Sequence, residues 1–104
     1  MNRFYELAKR KGWWDGVINR EKVIPEKLAL IHSEVSEALE DFRDSKMEIV
    51  ISGEKPTGFP IELADVIIRV YDLAGALGID LDEAVEIKHN YNKTRPFRHG
   101  GKRA

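Results

Sequence analysis

Four carboxylates in this sequence fall into two short pairs. Glu34 and Glu37 are separated by three positions, as are Glu62 and Asp65. On a helix that step places both side chains on one face. Two antiparallel neighbours would then present both pairs to a shared groove, where four like charges are unfavourable unless a cation neutralises them. All the donors are oxygen, with no His or Cys on either stripe, which selects a hard cation, Mg²⁺ or Mn²⁺, over zinc. A di-iron bundle would require a Glu-x-x-His pair, and His32 lies off the helical face that Glu34 and Glu37 share. The plain alternative is that each acidic stripe is a solvated surface.

A second group of residues lies towards the C-terminus. Lys88, Asn92 and Arg95 are spaced by four and then three, so Lys88 and Asn92 share a helix face and Arg95 follows at its end. Lys and Arg donors beside an Asn amide can hold phosphate oxygens, Arg through two bonds at once. The same cations would equally complement the negative end of a helix dipole. Trp13 and Trp14 are adjacent and offer planar surfaces on which a nucleobase can stack. Their structural alternative is to anchor the first helix onto the rest of the domain.

Four helices are expected to carry these groups. Asn2 can cap a helix running to about Lys11, with Phe4, Leu7 and Ala8 on one face and Gly12 as its stop. Trp13 to Gly16 reads as a turn. A second helix starts near Pro25, a residue suited to a first helical position, and runs to about Phe42. Its Leu28, Ile31, Val35, Ala38 and Phe42 recur in alternating steps of three and four, a bundle seam with Glu34, Glu37 and Asp41 along one edge. Gly and Pro residues make 44–60 a loop, within which Met47–Ile51 either extends the helix or forms a short strand. A third helix spans about Pro60 to Leu77 and stops at Gly78. A fourth, capped by Asp80 or Asp82, runs to about Asn92, with Pro96 barring continuation. The expectation is an all-α, four-helix bundle-type domain over residues 1–104, with about 96–104 a basic, Gly-containing tail.

The third helix is apolar over nearly its whole circumference from Leu63 to Leu77, apart from one stripe of Glu62, Asp65, Arg69 and Asp72. Such a helix calls for burial on most sides, more than one small chain supplies. A homodimer or homotetramer is therefore expected. Arg69 and Asp72 read as solvent-facing or as salt-bridge partners of a neighbouring subunit.

Composition narrows the classes further. The chain has 104 residues, 42% of them hydrophobic and 34% charged, with a formal net charge of −1. That is enough apolar content for one core and too much for a disordered chain. Residues 34–86 carry 14 acidic and 4 basic side chains, whereas residues 87–104 carry 6 basic and no acidic ones. An acidic centre would repel a nucleic acid duplex and suits a metal-complexed polyanion better. No apolar run approaches the roughly 18–20 residues of a membrane span, and the N-terminus has no signal-peptide core. With no cysteine there is no disulfide framework, thiolate metal site or Cys nucleophile. A cytoplasmic location is the simplest expectation.

Together, Glu34-Val35-Ser36-Glu37, Glu62-Leu63-Ala64-Asp65 and Lys88, Asn92 and Arg95-Pro96 resemble the all-α nucleoside triphosphate pyrophosphohydrolases, specifically their small MazG-like branch. The resemblance runs from about Pro25 to the C-terminus. It implies that Glu34, Glu37, Glu62 and Asp65 hold Mg²⁺ and that a nucleotide is cleaved between its α and β phosphates, giving a nucleoside monophosphate and pyrophosphate. It also implies helical dimers or tetramers with sites completed across subunits. The alternatives are a relative acting on phosphoribosyl-ATP, and a non-hydrolytic helical module that binds nucleotide or metal. Ser33 departs from the family pattern, whose first motif often begins with two adjacent glutamates. Water activation is then left to Glu37, Glu34 or a metal-bound hydroxide. Lys88, Asn92 and Arg95 would neutralise the β and γ phosphates, and Trp13 or Trp14 would meet the base.

Overall fold

The computed structural model describes residues 2–95; Pro96 and the basic tail lie outside the described residues. The chain forms α1 (Arg3–Arg10), a single 3-10 turn (Arg20–Val23), α2 (Ile24–Arg43), a hairpin of β1 (Val50–Ser52) and β2 (Lys55–Thr57), α3 (Phe59–Ala76) and α4 (Leu81–Thr94). It is a mostly helical small domain of four helices and a short hairpin.

The helix ends follow from local chemistry. The Asn2 side chain accepts from the Tyr5 amide at 3.0 Å and starts α1. At the other end Gly12 adopts a left-handed φ of 82°, and the amides of Gly12 and Trp13 close back onto Lys9 and Ala8. This Schellman closure satisfies two orphan carbonyls. α3 ends the same way at Gly78, with Ile79 bonded to Ala74. Asp80, not Asp82, caps α4 by accepting from the Glu83 amide; Asp82 instead accepts the Tyr71 hydroxyl at 2.6 Å. The 3-10 turn has no strong periodic signal in the sequence; it is started by Asn19, whose side chain accepts from the Glu21 amide.

The connection between α2 and α3 decides the alternatives left for Met47–Ile51. Ser45 takes a left-handed φ of 59°, and Lys46 bonds back to Asp41 at 2.8 Å, so α2 closes before Met47. Val50 then pairs with Thr57 and Ser52 with Lys55, making an antiparallel hairpin. Its base is clasped by the Phe59 amide donating to the Lys46 carbonyl at 2.8 Å. Gly58 lies against this clasp: a Cβ there would meet the Glu48 carbonyl oxygen at 2.0 Å. The hairpin therefore returns the chain sharply and sets α3 antiparallel along α2, the pair with the most extensive packing in the fold.

The buried core is Tyr5, Ala8, Trp14, Leu73 and Ala76, with Val17, Val23, Ile24, Ile31 and Leu77 packed around it. α1 reaches α3 closely because Gly75 has no side chain; a Cβ there would lie 2.4 Å from that of Tyr5. Arg20 ties the layer together, donating to the Tyr5 hydroxyl at 2.6 Å and to the Ala76 carbonyl at 3.0 Å. One expectation needs correcting. The apolar seam of α2 is inward only in part: Ala38 is buried and Ile31 packs on the core, whereas Leu28, Val35 and Phe42 are exposed and Glu34, at the edge of the seam, is buried. In the single chain α3 keeps Leu63 and Ile67 about half exposed, in line with a helix more apolar than one small chain covers. α4 packs sparsely on α3 and has no buried residue, leaving Val85, Ile87 and Tyr91 open. Among the described residues no helix is long and apolar enough to cross a membrane.

Candidate metal centre

The antiparallel α2–α3 pair brings three of the four carboxylates together. One ligand oxygen from each of Glu34, Glu62 and Asp65 lies within 4.8 Å of the others. Glu34 sits in the middle of α2, one helical turn before Ala38, so its side chain is directed inward at only 8% exposure. Glu62 and Asp65 occupy the first two turns of α3, which the hairpin clasp places beside that part of α2. Glu37 does not join this cluster and is exposed, although its charge reaches Glu62.

The electrostatics show the strain of this arrangement. The Glu62 carboxyl is lifted from 4.5 to about 7, first by burial and then by the charges of Glu37, Asp65, Asp41 and Glu34. Its Oε2 atom is buried without a hydrogen-bond partner. Asp65 is also raised, by burial and then by Glu34, with Arg69 opposing. A buried acceptor left unpaired is costly, and a cluster of oxygen donors around it fits a hard divalent cation. The donor set thus suits Mg²⁺ or Mn²⁺, with Glu34, Glu62 and Asp65 as the residues that could hold it.

The cation salt-bridged to the cluster is Arg69. Its Nε donates to Glu34 Oε1 at 2.9 Å across the helix pair, while its side chain stays open to solvent. Asp72 is likewise engaged, accepting from Trp14 Nε1 at 2.7 Å. Burial raises the Asp72 carboxyl, while that hydrogen bond, Lys27 and Arg69 hold it down. Both side chains thus have partners within the chain, Arg69 while keeping the solvent exposure expected of it. The signal for Arg69 was present, since it follows Asp65 by one turn, but nothing in the spacing names its partner.

A cavity of about 350 Å³ adjoins the cluster, lined by Glu34 and Lys27 of α2, by Asp65, Ile68, Arg69 and Asp72 of α3, and by Phe4 and Trp13. The two tryptophans separate here. Trp14 is 5% exposed and packs edge-on against Tyr5, whereas Trp13 is 63% exposed and faces the cavity. The Schellman closure of α1 produces the split, because bonding the Trp13 amide to Ala8 holds that side chain beside Ala8 on the cavity wall. Lys27, seven residues before Glu34 on the same face of α2, lines the cavity too, a role its position alone did not suggest.

The C-terminal cations lie elsewhere. No residue of α4 lines this cavity. Lys88 and Arg95 are placed over the Tyr91 ring, at 4.8 and 5.3 Å from its centroid, and Asn92 is exposed on the same helix. Within one chain they are not brought to the acidic cluster. Comparison with profiles of known protein families, with curated proteins and with solved structures returns no match to this chain.

Proposed function

We propose that the protein is a Mg²⁺-dependent nucleoside triphosphate pyrophosphohydrolase that converts a (d)NTP to the (d)NMP and pyrophosphate. The observation that carries this reading is the convergence of Glu34, Glu62 and Asp65 around an unpartnered buried oxygen, beside a cavity with an exposed tryptophan. The resemblance of the two acidic motifs and the Lys88, Asn92 and Arg95 block to the MazG-like enzymes agrees with it. A bound cation would supply charge neutralisation for the phosphate oxygens and a more acidic water. The chain's own groups would do the rest. Trp13 offers a stacking face to the base. Glu37, exposed and outside the cluster but with its charge felt at Glu62, would accept the proton of the water that attacks the α phosphorus. The bond from that phosphorus to the α–β bridging oxygen breaks, and pyrophosphate leaves.

The phosphate contacts require a second copy of the chain in this reading. The exposed apolar side chains of α2 (Val35, Phe42), α3 (Leu63, Ile67) and α4 (Val85, Ile87) form faces that one chain leaves uncovered and that burial would favour at about 25 cal/mol per Å². Packing two such chains together would cover these faces and let α4 carry Lys88, Asn92 and Arg95 to a neighbour's acidic cluster.

The test is incubation with Mg²⁺ and a panel of nucleoside triphosphates, with the products resolved by chromatography. Monophosphate plus pyrophosphate, abolished by a chelator, is the expected result. Asp65→Asn and Glu37→Gln should each lose at least about 100-fold in turnover, since removing groups that act on transition-state charge or proton transfer costs on that order. Diphosphate plus phosphate, or wild-type rates in both variants, would overturn the assignment.

A further inference from the structure

Three clustered carboxylates have a single close cation among the described residues, Arg69, and it is bound to the most buried of them. Glu34 has a side-chain exposure of 11%, against 43% for Arg69. The pair is thus unequal: the carboxylate is fixed inside the helix interface, whereas the guanidinium reaches it from a position open to solvent. Arg69 leaves α3 one turn beyond Asp65 and crosses to α2 by a single charge-assisted hydrogen bond through Nε. The pairing satisfies Glu34 but not Glu62, whose Oε2 keeps no partner. Arg69 therefore neutralises one corner of the cluster by engaging the same Glu34 carboxylate that a metal ion would use.

Resting on the reading of this cluster as a divalent-cation site, we propose that Arg69 is a built-in competitor for the cation. Its guanidinium stands in for the metal at Glu34, and metal binding has to displace it. Two consequences follow from the geometry. The unliganded protein is stabilised by a contact that the metal-bound form gives up, so part of the cation's affinity is spent on breaking it. The displaced guanidinium also remains on the wall of the cavity shared with Lys27 and Trp13, where its positive charge faces any anion that enters with the metal. Arg69 acts here as a regulator of site occupancy and as a positioning residue.

Mn²⁺ binding measured by titration calorimetry at pH 8 tests this, comparing wild type with Arg69→Met, Arg69→Gln and Arg69→Lys. Both neutral variants should bind Mn²⁺ at least about tenfold more tightly than wild type, because a unit charge at contact distance from a ligand oxygen has been removed. Arg69→Lys should stay near the wild-type value. Urea unfolding gives an independent readout: without metal the neutral variants should unfold at lower urea than wild type, and saturating Mn²⁺ should close that gap. A purely structural salt bridge would leave the gap unchanged. Wild type that binds Mn²⁺ with Arg69→Met and Arg69→Gln binding equally or more weakly would overturn the competition alone. Absence of Mn²⁺ binding in wild type and in all three variants would overturn the metal site itself, and this inference with it.

Discussion

The charge state of Glu62 yields a prediction that can be worked through from the structure. Its carboxyl is lifted from 4.5 to about 7, chiefly by burial, so the folded state disfavours the ionised form relative to the unfolded chain. Below pH 4.5 the group is protonated in both states and folding bears no cost. As pH rises the unfolded chain ionises first and stability falls, and the full penalty is present above about pH 7. At about 1.4 kcal/mol per pKa unit the ceiling is about 3.5 kcal/mol. Water reaching the part of the side chain that is not buried lowers this to about 1–3 kcal/mol. Glu62→Gln removes the charge and keeps the shape. In metal-free buffer at pH 8 the variant should be more stable than wild type by that amount, moving the urea midpoint up by on the order of 1 M. At pH 5 the gain should fall below about 1 kcal/mol. Saturating Mn²⁺ should reverse the order at pH 8, stabilising wild type by mass action and Glu62→Gln far less. A Glu62→Gln variant that is no more stable than wild type at pH 8 without metal would refute the reasoning, whatever its activity.

Two further outcomes are expected. Gly75→Ala puts a methyl where Tyr5 already stands, 2.4 Å from its Cβ; overpacking of this kind costs about 1–3 kcal/mol and should lower the thermal midpoint by about 5–15 °C in a domain of this size. Ile87 is 63% exposed on α4, so Ile87→Asp should cost an isolated chain little. If α4 packs on a second copy, sedimentation should show wild type as a dimer or larger and Ile87→Asp shifted to monomer; a wild type that sediments as a monomer at micromolar concentration would refute that assembly.

Local features were legible in the sequence. Asn2 and Gly12 bracket α1, Gly78 ends α3, and the start of α4 was narrowed to Asp80 or Asp82, because a helix terminus is satisfied by side chains and left-handed residues within a few positions of it. The two acidic pairs were legible for the same reason, as three-residue spacing fixes a shared helical face. Which faces meet was not local. Of the regular apolar seam from Leu28 to Phe42, α2 turns Ala38 inward and packs Ile31 on the core, but it also buries Glu34 and leaves Leu28, Val35 and Phe42 outside. That choice depends on the hairpin clasp at Gly58, on the close approach at Gly75, and on Trp14 taking the interior beside Tyr5. The same packing brings Arg69 to Glu34, parts Trp13 from Trp14, and keeps Lys88, Asn92 and Arg95 away from the cluster. Each of these outcomes is set by contacts between residues distant in the chain, where several faces compete for the same partner, and only the tertiary structure resolves that competition.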